Sequence, residues 1–353
     1  MRMIVMGPMS GYRSYPVVMR GLVRAFEHHG IEVVCADVTG LYSHLQSSDV
    51  RELSLGRNPG LDVDVLFAMK PSSQMVKMGL PVVGLHVGDV SEIPEDWKLA
   101  IRAESLTVAP STWMEEVIRS EVGEDCPEVV VANHGIEPEY LNGPVGMTLP
   151  PAFSFLHFCS AGVYPERKGT PQVLSAFQSL AMENRKVSLT LVVSEKRRPI
   201  KKLLGSLDPR VRDRVHVRIN PSGFSPQAMI RLYRQHHVLL APSRAEGFGI
   251  QPLEARALGI PVIKTRATGF MDHDDNDGVH VVSTGPFEPA WGGMGQAPSL
   301  DPADVYEAMK TVMETYDDLA EAAREAASSM SRWSWESTTE GLANRLKEGT
   351  WTR

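Results

Sequence analysis

The stretch VLLAPSRAEGFGIQPLEARALGIPVIKT, residues 238–265, holds one complete strand–loop–helix–strand unit. Val238–Ala241 is a short apolar run without polar alternation, the pattern of a strand buried on both faces of a parallel sheet. A loop with two glycines follows, then a helix predicted from near Ile250 to about Leu258, then a second apolar run, Pro261–Lys264. The same grammar extends outward in both directions. Toward the N-terminus the predicted strands are Met3–Met6, Glu32–Ala36, Val63–Ala68, Pro81–His86, Leu106–Ala109 and Glu128–Ala132, then Phe153–Phe158, Ser188–Val193 and Val215–Ile219. Amphipathic stretches separate them, among them Tyr15–His29, Ser111–Val122, Thr170–Ala181 and Ser225–Gln235, with Ser111 and Ser225 as N-caps and Gly30 as a C-cap. From about Asp301 the pattern is almost entirely helical.

Strands alternating with helices in two successive halves predict an α/β fold of two doubly wound domains facing a cleft. The Pro/Gly stretch 143–151 continues neither a helix nor a central strand and reads as the linker. The expected domains are therefore 1–145 and 151–333, with a C-terminal helix over 334–353 crossing back to the first domain. Ligands of open parallel sheets bind at the carboxyl ends of the strands, which suggests a nucleotide or a nucleotide-derived ligand.

Composition narrows the classes. The chain has 353 residues, 42% hydrophobic and 22% charged, with net charge −7. That balance disfavours a general nucleic-acid or anionic-membrane binder. The charge is uneven: residues 1–150 carry 11 basic and 20 acidic residues, and residues 151–353 carry 25 and 23. No apolar run is long enough for an integral membrane segment, and the first residues lack a signal-peptide layout, so a cytoplasmic location is expected (host cytoplasm if the gene is a phage's). Three widely spaced cysteines, Cys35, Cys126 and Cys159, predict neither a disulfide framework nor a structural zinc site.

Two segments carry chemistry. In 241–254, the glycines allow close approach of backbone to a ligand, and the amides of Gly249, Ile250 and Gln251 open a helix where an anion binds. Glu246 and Glu254 flank that site, as carboxylates suited to hydroxyls of a sugar or ribose. Read alone, the stretch is equally an ordinary turn with two solvated glutamates. In 160–170, Arg167 and Lys168 follow a buried strand, where two cations neutralise a diphosphate; read alone, this is a solvated basic turn.

Together, in this order and on these elements, the segments resemble the retaining GT-B glycosyltransferases of family 4. The resemblance rests on the Glu-x7-Glu signature, Glu246 to Glu254, and on the Arg-Lys-Gly turn in ERKGT, and it covers roughly residues 153–270. It implies two Rossmann-like domains and transfer of a hexosyl unit from a nucleotide diphosphate sugar, most often a UDP-sugar, to a hydroxyl with retention and without a metal or other cofactor. Glu254 would then hold the ribose. Glu246, beside Gly247, Phe248 and Gly249, would contact the sugar. Lys168 and Arg167, with the amides of Ile250 and Gln251, would bind the diphosphate. Gly7, Ser10 and Gly11 take the place of the family's first glycine-rich loop, and His86 matches a histidine that borders the donor sugar. This chain departs from the family in its first loop, GPMSG, and in Ser160-Ala161-Gly162, where many relatives carry a further arginine.

The acceptor is the least transferable part: a small molecule, a glycan or a lipid-linked sugar. One alternative is transfer to hydroxymethylated pyrimidines in DNA, for which the basic segment 195–218, nine basic residues against three acidic, is the nearest support. Another is a nucleotide-sugar-binding protein without transfer activity. The acidic run 272–277 lacks calcium-loop spacing and reads as a solvated loop. Asp62-Val63-Asp64 has no supporting context for a metal site, and the loop around Trp291 has no assigned role.

Overall fold

The computed structural model describes residues 1–38, 63–71, 80–144, 146–159, 164–194, 198–293 and 295–349. They form two compact units, Met1–Gly135 with Trp333–Arg353, and Ile136–Arg332.

The first unit holds β1 (Arg2–Gly7), β2 (Glu32–Asp37), β3 (Val65–Met69), β4 (Val82–Leu85), β5 (Leu106–Ala109) and β6 (Val129–Val131) in one sheet of order β2-β1-β3-β4-β5-β6. Every neighbouring pair is parallel. β3, β4 and β5 are buried along their whole length; β3 and β4 accordingly appear in the sequence as unbroken apolar runs, and β5 is interrupted only by Thr107. The switch in winding direction falls between β1 and β3, so the crevice of this sheet opens at their carboxyl ends. Helix Ser14–His28 ends with Gly30 at φ +76, and helix Thr112–Val122 is capped by the Ser111 hydroxyl, which accepts the Met114 N–H.

This sheet is completed from the far end of the chain. Trp335 opens the helix Trp335–Glu348 and is 1% exposed. Its place is cut out by two glycines: a Cβ on Gly21 would lie 2.1 Å from the indole, and one on Gly135 2.4 Å from the Trp335 backbone nitrogen. His29 Nε2 bonds the Glu336 carbonyl at 2.8 Å, and Arg345 pairs with Glu128 at 2.7 Å.

The second unit holds β7 (Phe153–Phe158), β8 (Val187–Val193), β9 (Val215–Ile219), β10 (Val238–Ala241), β11 (Val262–Thr265) and β12 (Val279–Val282), all parallel, in the order β12-β11-β10-β7-β8-β9. Its core packs Phe155, Leu189, Val238 and Ile263 against Phe177 of helix Thr170–Glu183 and Met309 of helix Pro302–Glu314. Here the winding reverses between β7 and β10.

All eleven predicted strands are present. The units part between Gly135 and Ile136, ahead of the Pro/Gly stretch at 143–151, so that residues 136–144, placed with the first domain by the sequence, cluster with the second unit. Tyr140, 2% exposed, anchors them there. Trp333, placed at the end of the second domain, clusters with the first unit. The sequence also missed β12 and the hairpin β13 (Phe287–Pro289) and β14 (Gln296–Pro298). No helix among the described residues is long and apolar enough to cross a membrane.

Candidate active site

The two loops that leave β7 and β10 meet at the switch point of the second sheet. A short turn, Pro165–Lys168, presents Arg167 and Lys168, and the loop after β10 presents Glu246. The backbones are stitched together, the Arg244 N–H donating to the Arg167 carbonyl at 2.9 Å. Gly169 closes the turn at φ +68, and a Cβ there would lie 2.3 Å from the Pro242 carbonyl oxygen, so this position takes glycine for both reasons.

Glu246 is the hub. Its carboxylate pairs with Lys168 Nζ, receives Arg167 Nη1 at 3.1 Å and accepts the Ser243 hydroxyl at 2.7 Å, while its own N–H donates to Thr268 Oγ1 at 2.9 Å. Burial alone would raise this carboxyl; the Lys168 and Arg167 cations outweigh it and hold the group down to about 2. Thr268 has φ +51, a left-handed conformation uncommon for a β-branched residue, held here at the site. Glu246 is thus a permanent anion against two cations of limited exposure, 17% for the Arg167 side chain and 11% for that of Lys168. An incoming anion with more charge than one carboxylate would find two positive groups already oriented.

Glu254 lies in the helix Gln251–Ala257 with a different environment. Its Oε2 accepts the Tyr233 hydroxyl at 2.9 Å, and Tyr140 also bonds it. Burial raises the Glu254 carboxyl to about 7, with the negative charge of Glu137 adding to the rise. Burial, with the neighbouring Glu254 charge, likewise pushes both tyrosine hydroxyls upward. One carboxylate of the pair is therefore fixed as an anion and the other sits on the edge of ionisation. Between them, Phe248 is buried, Gly249 has φ +81 with the Phe270 ring 2.3 Å from where a Cβ would be, and Ile250 and Gln251 open the short helix. At the ends of the adjacent strands β8 and β9, Ser194 Oγ and Asn220 Nδ2 are buried without a partner among the described residues.

The remaining predicted residues belong to the first unit. Ser10 Oγ donates to Asp37 Oδ2 at 2.8 Å, and Arg20 holds the Gly11 carbonyl at 2.7 Å, so Asp37 and Arg20 fix the loop after β1. Gly7 packs against Met19, and Gly11 has φ +94. His86 follows β4 and is fully buried; its Nε2 bonds Glu104 Oε1 at 2.7 Å, and Glu104 Oε2 accepts the Thr107 hydroxyl at 2.7 Å. Arg167, Lys168, Glu246 and Glu254 are thus brought together in one unit, and Gly7, Ser10, Gly11 and His86 lie in the other.

Arg244 was not anticipated. Its side chain is 8% exposed, its Nε donates to the Pro298 carbonyl at 2.7 Å, its Nη2 pairs with Glu288 at 2.5 Å, and its guanidinium lies 5.5 Å from the Trp291 ring centroid. The hairpin is thereby tied to the loop that bears Glu246. The acidic run is not a solvated loop: Asp274 pairs with the buried Arg256 at 3.0 Å and also with Arg332, and Asp275 pairs with the buried Lys264, because two buried cations require counter-charges. Asp64 accepts the Arg2 N–H, and Asp62 lies outside the described residues. In the basic segment Arg210 pairs with Asp208, and Arg212 and Arg214 donate to backbone carbonyls; Lys196 and Arg197 lie outside the described residues, as do Ser160, Ala161 and Gly162.

A family model described as family 4 glycosyltransferase in conflict systems matches residues 98–342, more than half of the chain. The D-inositol 3-phosphate glycosyltransferase of Corynebacterium jeikeium (strain K411) is 30% identical over 125 residues, 35% of this chain and 26% of that protein, so the match spans about a quarter of that relative's length. Among solved structures, sucrose-phosphate synthase from Thermosynechococcus elongatus superposes with a TM-score of 0.74 at 14% identity, over 98% of each chain. A glycosyltransferase from Rickettsia africae gives 0.69 at 16% identity over 99% and 98%. Anabaena HepE in complex with UDP and glucose gives 0.67 at 16% identity over 99% and 100%. At these identities the structural likeness shows a shared fold.

Proposed function

Because the chain belongs to the family 4 glycosyltransferases in conflict systems, we propose that it transfers a hexosyl unit from a UDP-sugar to a hydroxyl of a small molecule, glycan or lipid-linked acceptor, with retention and without a metal. The observation that carries this reading is the meeting of Arg167, Lys168 and Glu246 at the switch point between β7 and β10. UDP bound to the structurally similar HepE supports the choice of nucleotide.

In the proposed reaction the bond from the anomeric carbon to the diphosphate oxygen breaks, and a bond to the acceptor oxygen forms on the same face. The acceptor proton passes to the leaving diphosphate. Negative charge grows on that diphosphate, and preoriented donors there supply the largest share of catalysis. Lys168 and Arg167, with the amides of Ile250 and Gln251, fill this role; the donor phosphates draw the two cations away from Glu246, which is then available to a sugar hydroxyl. Glu254 receives the ribose hydroxyls. A small acceptor is favoured over DNA because three arginines of the basic segment are already engaged within the fold.

Nucleotide release from UDP-, GDP- and ADP-sugars, with pools of small glycans, lipid-linked sugars and hydroxymethylated duplex DNA, tests this reading. Release stimulated by one pool identifies donor and acceptor class together. Binding of a nucleotide sugar with transfer to none would instead mark a binding protein, and no binding at all would remove the reading. A chelator should leave the rate unchanged.

The Glu254 carboxyl gives a pH signature. It is neutral below about 7 and charged above, and a carboxylate accepts ribose hydroxyls better than an acid does. UDP affinity should therefore rise between pH 6 and pH 8, and Glu254→Gln should flatten the profile and weaken binding roughly tenfold, the size of one charge-assisted hydrogen bond. Titration calorimetry across that range decides it; an unchanged slope in the variant would discard the role of Glu254. Stability should move the opposite way. The native state holds this proton more tightly than the unfolded chain, so the contribution is full below the unfolded value and is lost as pH rises through about 7.

A further inference from the structure

Two non-glycine residues among those described have a left-handed backbone, Thr268 and Lys70, each at φ +51. Thr268 holds the Glu246 amide in the site described above. Lys70 is in the other unit and has no role in that site. It follows β3 at the carboxyl end of the first sheet, beside the switch point between β1 and β3, where ligands of such sheets bind. Its N–H is fixed by the Leu85 carbonyl at 2.9 Å, which anchors the strained residue to the end of β4.

The half-buried Lys70 ammonium donates to the Tyr15 hydroxyl at 2.8 Å and sits 4.7 Å from the Tyr15 ring centroid and 4.5 Å from that of Trp97. These neighbours are neutral, and none of its described partners is a carboxylate. Elsewhere in this unit the cations near acids are paired, Lys98 with Glu95 and Glu121 and Arg345 with Glu128. Aromatic faces stabilise a cation while leaving its charge uncancelled. The ammonium has further N–H groups to give, and Tyr15, which accepts from Lys70, has its own hydroxyl hydrogen to donate.

We infer that Lys70, with Tyr15 and Trp97, is a subsite for a single oxyanion on the acceptor, so that the substrate receiving the sugar is a small hydroxylated anion, a sugar phosphate or a sugar carboxylate. This rests on the glycosyltransferase reading. One lysine framed by two rings matches one compact anionic group; duplex DNA is held by many phosphate contacts at once, and residues 1–150 are acidic overall.

The test compares matched acceptors by UDP release from the donor that wild type turns over: glucose, glucose 6-phosphate and glucuronate, and myo-inositol with its 3-phosphate. The expected result is at least a tenfold preference in kcat/KM for an anionic member over its neutral partner. Phosphate against carboxylate identifies the source of the charge. Lys70→Ala should bring the ratio close to one, through KM rather than kcat, and Lys70→Arg should keep most of it. Lys70→Gly, which relieves the backbone and removes the cation, should match the alanine variant and guards against a folding defect. A neutral preference in wild type, an undiminished ratio in both Lys70→Ala and Lys70→Gly, or stimulation by DNA alone overturns the inference. So does the absence of stimulation by every pair while UDP still binds. Failure of wild type to bind any nucleotide sugar overturns the glycosyltransferase reading instead, and this inference falls with it.

Discussion

Lys168→Ala should lower turnover at least a hundredfold with a saturating donor. The warrant is the loss of one preoriented donor from the oxygens on which charge accumulates, typically a factor of about 100 to 1,000 in kcat. Arg167, 3.1 Å from Glu246, remains and limits the loss. The same change leaves the buried Glu246 with one cation where it had two, so part of the effect will be structural. Lys168→Arg separates the contributions. It keeps the charge against Glu246 and should restore the melting temperature, yet recover only part of the rate, because a planar guanidinium does not place its donors where the ammonium does. Steady-state kinetics beside thermal melts decide the matter. Turnover of Lys168→Ala within tenfold of wild type, with melting unchanged, would take Lys168 out of the mechanism.

Trp335→Ala should be the most destabilising single change in the first unit, costing about 3–5 kcal/mol as for other large aromatic truncations. That is a large fraction of the roughly 5–15 kcal/mol a domain possesses. Gly21 and Gly135 have no side chains where the indole lies, so neither can fill the space it leaves. Trp335→Phe should cost far less, since the indole N–H is buried without a partner among the described residues and its removal relieves an unpaired donor. Denaturant unfolding of the three proteins reads the ranking. A loss below about 1 kcal/mol for alanine would mean that the C-terminal helix is held by its flanking polar bonds instead.

Much of the fold was legible because strands buried on both faces leave unbroken apolar runs such as Val65–Met69 and Val82–Leu85. β12 escaped because it is an edge strand with His280 and Val281 partly or fully exposed, and the hairpin because three-residue strands containing Glu288 and two prolines carry no periodic signal. Of the candidate site, Arg167, Lys168, Glu246 and Glu254 were named from sequence because each lies in a continuous motif. Ser243, Thr268, Tyr233 and Tyr140 were not. Tyr140 stands over a hundred residues from Glu254, and a hydroxyl that bonds a distant carboxylate looks in sequence like any other tyrosine. Lys70 shows the limit most plainly, because a positive φ at lysine has no sequence signature. His86 was named without Glu104, the buried acid bonded to its Nε2.

The first unit is built from two ends of the chain, with the whole of residues 136–332 between them. On the ribosome that order has a cost in time. The first sheet emerges early but cannot be sealed by Trp335 until the intervening residues have been made, a wait of roughly 10–40 s at ordinary elongation rates. Throughout it, the groove beside Gly21 and Gly135 stays open, and the half-finished sheet is a natural client for a chaperone. The second unit is contiguous and faces no such delay, so it is expected to reach its native state first although its synthesis begins later.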